Sequence, residues 1–569
     1  MKKVLFSLCF LLAFTSQAWS RQRSLDEIKA AASQVINKKG TARSAAKMGV
    51  MRQNSQLTVV GYNDGGFAVV ANDDRFPAVM GYSDTKFTDN MPPALEWWLT
   101  NMEATLSAKA AAGETVTRSA VPEGYKTEVP EMLTTRWDQS TPYWNLCPTY
   151  VDPASKAETH YLTGCVATAM SQVMYYHKHP VKGTGRKVYR YTPDDGSAPT
   201  MNLAVDFGST TYDWANMLPE YVEGAYNDAQ AQAVATLMYH CGVAVDMNYR
   251  MAASGALLAN GTRALRQYFG YDEYVKYYVR TYMNEKEWMD IVYKELNDNC
   301  PILYGGADDN MGGHCFVLDG YDADGKVHVN WGWSGDGNGY FDIATLHVTG
   351  STFDYTFDDM QELAIVRLPD DDRYNATYNS LWALGADLEV RRSGTTLNYS
   401  TAGVANLDVD DFTGKIALLA VNVNGGEPIE IDNAPYRVRN VEFTAGFQLA
   451  GTASISSLGD GTYRIYLASK SDDESAWQPV RSHEDVNNSN ILTIEGNKIT
   501  IKPEGDSSWT SGIEGVAVES AEGDGVVRVY NASGTLVYSA EASEFNVDDV
   551  PAKGLLIVNN GGNVTKVMK

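Results

Sequence analysis

Basic residues, cysteines and long apolar stretches are all scarce in this chain, and each scarcity removes a class of function. Lysine and arginine number 46 against 71 aspartates and glutamates, a formal charge of -25 over 569 residues. Such a surface repels phosphate backbones and anionic lipid heads, so nucleic acid is not expected as a partner. The longest apolar run, Val4 to Phe14, is about half of the ~20 residues a membrane-spanning helix needs, so no membrane insertion is expected. Only six cysteines are present, too few for a fold stapled by disulfides.

What is present begins with an export signal. Lys2 and Lys3 precede the apolar run, and Ala18-Trp19-Ser20 supplies a small-x-small cleavage pattern, so residues 1–20 read as a signal peptide. The expected location is extracellular, with the product either released or attached to the cell surface. Removing the signal discards Cys9 and leaves Cys147, Cys165, Cys241, Cys300 and Cys315. The odd number leaves at least one thiol free. An exported free thiol invites a functional explanation, although each cysteine alone can equally be a small buried apolar residue.

The length exceeds what one hydrophobic core serves, and four units follow the signal. Residues 21–128 run from a helix (Leu25 to Ile36) through strands into a second helix (Ala94 to Ala112), a small α+β unit ending near the basic residues Arg118 and Lys126. Residues 129–369 place helices first and strands last, the order of an α+β domain with a helical half facing a sheet half. Pro369 and three aspartates form a linker. Residues 376–505 show short alternating runs broken by glycine-rich turns, the pattern of a β-sandwich, and residues 514–569 repeat that character at smaller scale.

Cys165 stands directly after Gly164 at the start of a helix that stops before Pro180. The unpaired amides and dipole of a helix N-terminus favour thiolate over thiol. A thiolate nucleophile needs an imidazole within hydrogen-bond reach. His177 and His179 lie 12 and 14 residues further along, roughly 18 and 21 Å at about 1.5 Å per residue. His240 sits at a helix end, and His347 and His483 lie in loop-like or separate sequence, leaving His160, His314 and His328. His314 is preferred because it opens an apolar strand after Gly312 and Gly313, which free space for a substrate backbone. On the next strand, Asn330 is placed to bond the second ring nitrogen of His314 and Trp331 to shield that bond. His328, two residues from Asn330, is the second candidate.

Three segments, Gly164 to Gln172, Gly312 to Gly320 and Val329 to Trp333, together resemble the streptopain family of papain-like bacterial cysteine peptidases over most of Arg136 to Leu368. The resemblance implies a papain-like α+β catalytic domain, with a small α+β propeptide domain before it and all-β sandwich-like domains after it. It also implies Cys165 as nucleophile, His314 as base, Asn330 and Trp331 as its support, and Gln139, 26 residues before the nucleophile, as an oxyanion donor. Gly66 to Ala71 and Val79 to Ser83 look like the family's propeptide, which implies that the chain inhibits itself until the propeptide is removed. Protein or peptide substrates follow, with a hydrophobic residue two positions before the cleaved bond. Val526 to Val537 and Gly554 to Lys569 resemble the sorting domain of the type IX secretion pathway.

Asp319, Asp322 and Asp324 read as turn residues, and the glycines between Ser334 and Gly339 precede no helix. No metal or cofactor is therefore expected. Two alternatives stay open: a surface protein whose sandwich domains bind host or matrix ligands, and a transglutaminase-like acyl transferase using the same Cys–His pair.

Overall fold

The computed structural model describes residues 20–36, 47–116, 121–273, 275–308, 312–346, 360–369, 371, 380–432, 436–441, 446–483 and 486–504, together with four strands beyond residue 525. The expected signal peptide, Arg118 and His347 lie outside the described residues.

Helix α1 (Leu25–Ile36) is started by a capping box, in which the Ser24 hydroxyl meets the Glu27 amide and Glu27 accepts from the Ser24 amide. It is followed by the antiparallel strands β1 (Gly49–Gln53), β2 (Leu57–Tyr62), β3 (Gly65–Ala71) and β4 (Val79–Ser83), then by α2 (Pro93–Ala112). Strands β2 and β3 are apolar apart from Thr58, which donates to Asn72 at 2.6 Å, because both faces are covered. Val60, Ala68 and Val70 pack under α1, whereas Val59, Phe67 and Val69 pack under α2 with Trp97 and Trp98.

Next come β5 (Thr149–Val151), β6 (Glu158–His160), α3 (Cys165–His177), β7 (Arg186–Tyr191), β8 (Met201–Asp206), α4 (Asp228–Ala244) and α5 (Leu258–Phe269). The sheet-forming half follows: β9 (Tyr277–Val279), α6 (Glu285–Asn297), β10 (Ile302–Asp308), β11 (Gly312–Tyr321), β12 (Val327–Asn330), β13 (Gly339–Phe341) and β14 (Met360–Ala364). Strands β10 to β14 follow the helices, as read from the sequence, but two hairpins, β5–β6 before α3 and β7–β8 after it, were not part of that reading.

The two α+β units share one sheet of ten strands, β1-β2-β3-β4-β13-β12-β11-β10-β14-β9. The join is β4 against β13, with Tyr340 opposite Tyr82 and Phe341 opposite Gly81. Alternation along β11 sorts the two cores: Cys315 and Val317 face α3, α4 and α5, while Phe316 and Leu318 face α2 and α6.

Beyond the linker, a five-stranded and a seven-stranded sheet close over Trp382, Phe412, Leu418 and Ile465 as a β-sandwich. Strands Val526–Asn531, Leu536–Glu541, Leu555–Asn560 and Asn563–Met568 form a further antiparallel sheet. Among the described residues no helix is long and apolar enough to cross a membrane.

Candidate active site

The site starts from a glycine. Gly164 precedes α3 at φ 88°, a left-handed conformation costly for other residues. A Cβ there would stand 2.5 Å from Met247 Sδ and 3.1 Å from the Ser254 carbonyl, so only glycine lets α3 begin so close to its neighbours. Cys165 is thereby placed at the first helical position. All five cysteines after the signal are free, and Cys165 alone among them is not buried.

The amides of Cys315, Val166 and Cys165 itself converge on its sulfur. Burial nevertheless pushes the thiol above its ordinary range, and the Glu362 carboxyl adds to the rise. This differs from the thiolate expected of a helix start. The helix amides act as anticipated, but desolvation in this closed form outweighs them. Cys147 and Cys241 are also pushed up, each to about 12 by burial, and Cys315 is raised in the same way.

His314 lies opposite Gly306 on β10, at the end of β11 nearest Cys165. It leaves the strand on the face of Phe316, opposite to the face that carries Cys315 and Cys165. On the His314 face the propeptide intrudes: a Cβ at Gly306 would stand 2.2 Å from the Trp97 ring. The structure thus brings nucleophile and base candidates to one strand end but sets them on opposite faces, with Trp97 beside the histidine's position.

The bond expected from Asn330 to His314 is corrected. Asn330 pairs with Val317, three residues along the strand from His314 and on the other face, about 10 Å away at ~3.3 Å per residue. Its amide donates to the Thr135 carbonyl at 2.8 Å and its oxygen accepts from the Gly332 amide at 3.1 Å. Thr135 in turn donates to Gln172 of α3 at 2.8 Å, so Asn330 ties the nucleophile's helix to the sheet. Trp331 is buried against Phe316, with ring centroids 4.8 Å apart, and its indole N–H donates to Gly337 O at 2.9 Å. It therefore sits on the His314 face.

Gln139 is 9% exposed, and its carbonyl accepts the Thr163 amide at 3.1 Å. That bond fixes its backbone two residues before Cys165. Gly312 and Gly313 are exposed at the mouth of β11, with open space around Gly312.

The remaining described histidines are engaged elsewhere. His328, the second candidate base, bonds Asp319 at 2.5 Å and Glu131 at 3.2 Å. Burial opposes its charge, but these two carboxylates overcome it and raise its pKa to about 9. It is a buried cation, unsuited to taking a proton. His160 meets the Cys147 carbonyl at 2.7 Å, and His240 meets the Tyr212 hydroxyl at 3.0 Å. Asp322 is a turn residue that accepts the Lys326 amide, whereas Asp319, read as a turn residue, lies buried within β11 and holds His328.

Sequence reasoning missed Glu362 and Trp97 as site neighbours. The available signal was Gly305-Gly306 inside an otherwise apolar strand, which marks close approach by another group.

A free thiol at a helix start, facing a sheet whose end carries a histidine, defines the papain-like class of cysteine hydrolase. Comparison with known sequences narrows the class. Residues 137–341 match the model of the Peptidase C10 family, and residues 17–106 match that of the Spi protease inhibitor. Streptopain of Streptococcus pyogenes is 31% identical over 370 residues, 59% of this chain and 89% of that protein. The thiol protease/hemagglutinin PrtT of Porphyromonas gingivalis is 35% identical over 296 residues, 50% of this chain but 33% of that protein. A solved fragment of prointerpain A from Prevotella intermedia, a cysteine-to-alanine mutant, is 38% identical with TM-score 0.50, covering 58% of this chain and 98% of that one. The chain belongs to the Peptidase C10 family. It is a cysteine peptidase preceded by an inhibitor-type propeptide, an outcome that favours the enzyme over the binding-protein alternative.

Proposed function

We infer that the chain is a secreted endopeptidase, held latent by residues 21–128, that hydrolyses proteins through a thiolate at Cys165. The observation that carries this reading is the sulfur's setting: the one thiol of five that is only partly buried, at a helix start, with three amides aimed at it. His314 is the base. Withdrawal of Trp97 clears the space over Gly306, and the glycines before His314 allow the strand end to turn its imidazole toward Cys165. In that arrangement Cys165 attacks the scissile carbonyl and the leaving amine takes its proton from His314. Water then hydrolyses the acyl-enzyme. The Gln139 side chain and the Cys165 amide stabilise the oxyanion. Asn330 acts as a positioning residue, holding α3 to β12 through Thr135, and Trp331 lines the His314 side.

The test is Cys165→Ala in the full chain. Proteolysis and self-processing both fall to background on this reading, and activity that survives the change contradicts it. Mass spectrometry of products separates hydrolysis from acyl transfer to amines. The C-terminal four-stranded sheet carries the proposed sorting function, tested by whether a chain truncated after residue 505 stays inside the cell envelope.

A further inference from the structure

The Cys165 face of the sheet carries a carboxyl that the reaction above does not use. Directly opposed residues of neighbouring antiparallel strands share a face, and one such row runs Cys315, Gly305, Glu362, Val279 across β11, β10, β14 and β9. Gly305 has no side chain to fill its place in that row, and the Glu362 side chain leans into the gap. A Cβ at Gly305 would stand 2.7 Å from Glu362 Oε1. The carboxyl therefore lies over β10, one strand spacing or about 5 Å from the strand whose amide touches the Cys165 sulfur.

Glu362 is half-buried and accepts a hydrogen bond from the Tyr277 hydroxyl. Among the described residues no lysine or arginine forms an ion pair with it. Two other buried carboxylates are matched by cations, Asp408 by Lys276 at 2.8 Å and Glu295 by Arg367 at 2.6 Å, and a third, Glu474, is held by the amide and hydroxyl of Ser380 and the amide of Ser471. Glu362 alone of these four borders the thiol, and burial raises its pKa to about 7. A carboxylate desolvated in this way is stabilised by whatever cation enters beside it.

We propose that Glu362 is a specificity-determining residue, whose carboxylate receives a lysine or arginine side chain of the substrate within two positions of the scissile bond. The reach follows from size: at ~3.3 Å per extended residue, two positions span the strand spacing that separates Glu362 from the nucleophile. Gly305 is part of the same device, since any larger residue would push the carboxyl out of the gap. The proposal rests on Cys165 as nucleophile and departs from the hydrophobic preference that the family resemblance implies.

The experiment compares the activated full-length enzyme with its Glu362→Gln variant on paired peptides that differ only in arginine against norleucine at each position flanking the cleaved bond. The readout is the ratio of kcat/KM values within each pair. In the native enzyme one position shows a ratio of roughly 10- to 100-fold in favour of arginine, the scale of a buried charge-assisted hydrogen bond. In Glu362→Gln the ratio falls to near unity. A second measurement needs no variant: the native ratio is small at pH 5.5, where the carboxyl is neutral, and grows through pH 7 to 8. The groups facing Glu362 are Tyr277, Cys165 and Cys315, and an effect of thiol titration on rate is common to both peptides of a pair and cancels. A thiol-directed probe on the same samples keeps the two readings apart. Labelling at Cys165 with a ratio that Glu362→Gln and pH leave unchanged overturns the role of Glu362 alone; an unlabelled Cys165 in active enzyme overturns both.

Discussion

Two units grip the catalytic domain by different physics. The propeptide joins it by backbone and apolar contacts. Strand β4 continues the sheet at β13, Tyr82 stacks on Tyr340 with centroids 5.3 Å apart, and Trp98 meets Phe341 at 5.0 Å while donating to Asp342 O at 3.1 Å. The β-sandwich joins it by charge. Arg266 holds Asp410 through two bonds of 2.7 and 2.8 Å, Lys276 meets Asp408 at 2.8 Å, and Arg481 grips Glu287 at 2.7 Å. An open cleft of about 870 Å³ remains at that second junction, lined by Arg263, Arg266, Asp410 and Asp472. The first junction resembles the interior of one domain and the second a contact between separate proteins. A latch of the first kind does not fall open by dilution or salt, which suits an inhibitor that must hold until its chain is cut.

That contrast can be broken at several points. The largest effect is expected from Trp97→Ala, which empties a fully buried site of the latch. Precursor stability should fall by about 3–5 kcal/mol in denaturant unfolding, with faster self-processing, while the mature enzyme, already free of residue 97, has no such loss. At the sandwich junction, Asp408→Asn removes the buried carboxylate that Lys276 meets at 2.8 Å. A cost of about 3 kcal/mol is expected there, and it should leave the rate of propeptide removal unchanged. Gly306→Ala adds a methyl where the Trp97 ring lies and should loosen the latch by about 1–3 kcal/mol, read as earlier processing.

The smallest effect is a pH slope. The folded pKa of His328, about 9, lies above its unfolded value near 6.5. Its stabilising contribution is therefore complete below pH 6.5 and is lost as pH rises through 9. His240, lowered to about 4 by burial, acts only below pH 6.5, and Glu362 acts only up to about 7. Lys178, lowered to about 8 by burial, adds an opposing rise above pH 8. The loss of precursor stability is therefore read between pH 7 and 8, with a slope of at most ~1.4 kcal/mol per unit, and His328→Gln should flatten it.

Much of this architecture was legible in the sequence because it is local. Leu25 to Ile36 forms its helix from a capping box and a spaced apolar face, and Gly164 marks the start of α3 through its own backbone. The family motifs pointed to Cys165 and His314 by their immediate neighbours. Pairings between distant segments were not legible. Nothing in Val79 to Ser83 says that its partner is Gly339 to Phe341, 256 to 260 residues further on, so one shared sheet was read as two separate units. Asn330 was assigned to His314 because the hairpin brings their strands together. The register, Asn330 opposite Val317, puts them on different faces, a one-residue matter that sequence spacing does not resolve. Glu362 escaped notice because its place beside the thiol depends on a glycine 57 residues earlier.

The central claim, that Cys165 is a nucleophile kept idle while the propeptide occupies the His314 face, is tested most directly by a chloroacetamide or epoxide probe applied before and after activation, with the labelled residue read by peptide mass spectrometry. The account predicts label on Cys165 alone, appearing only once residues 21–128 are removed. Equal labelling of Cys165 in the intact precursor, or label on Cys147, Cys241, Cys300 or Cys315 that tracks activity, would contradict it.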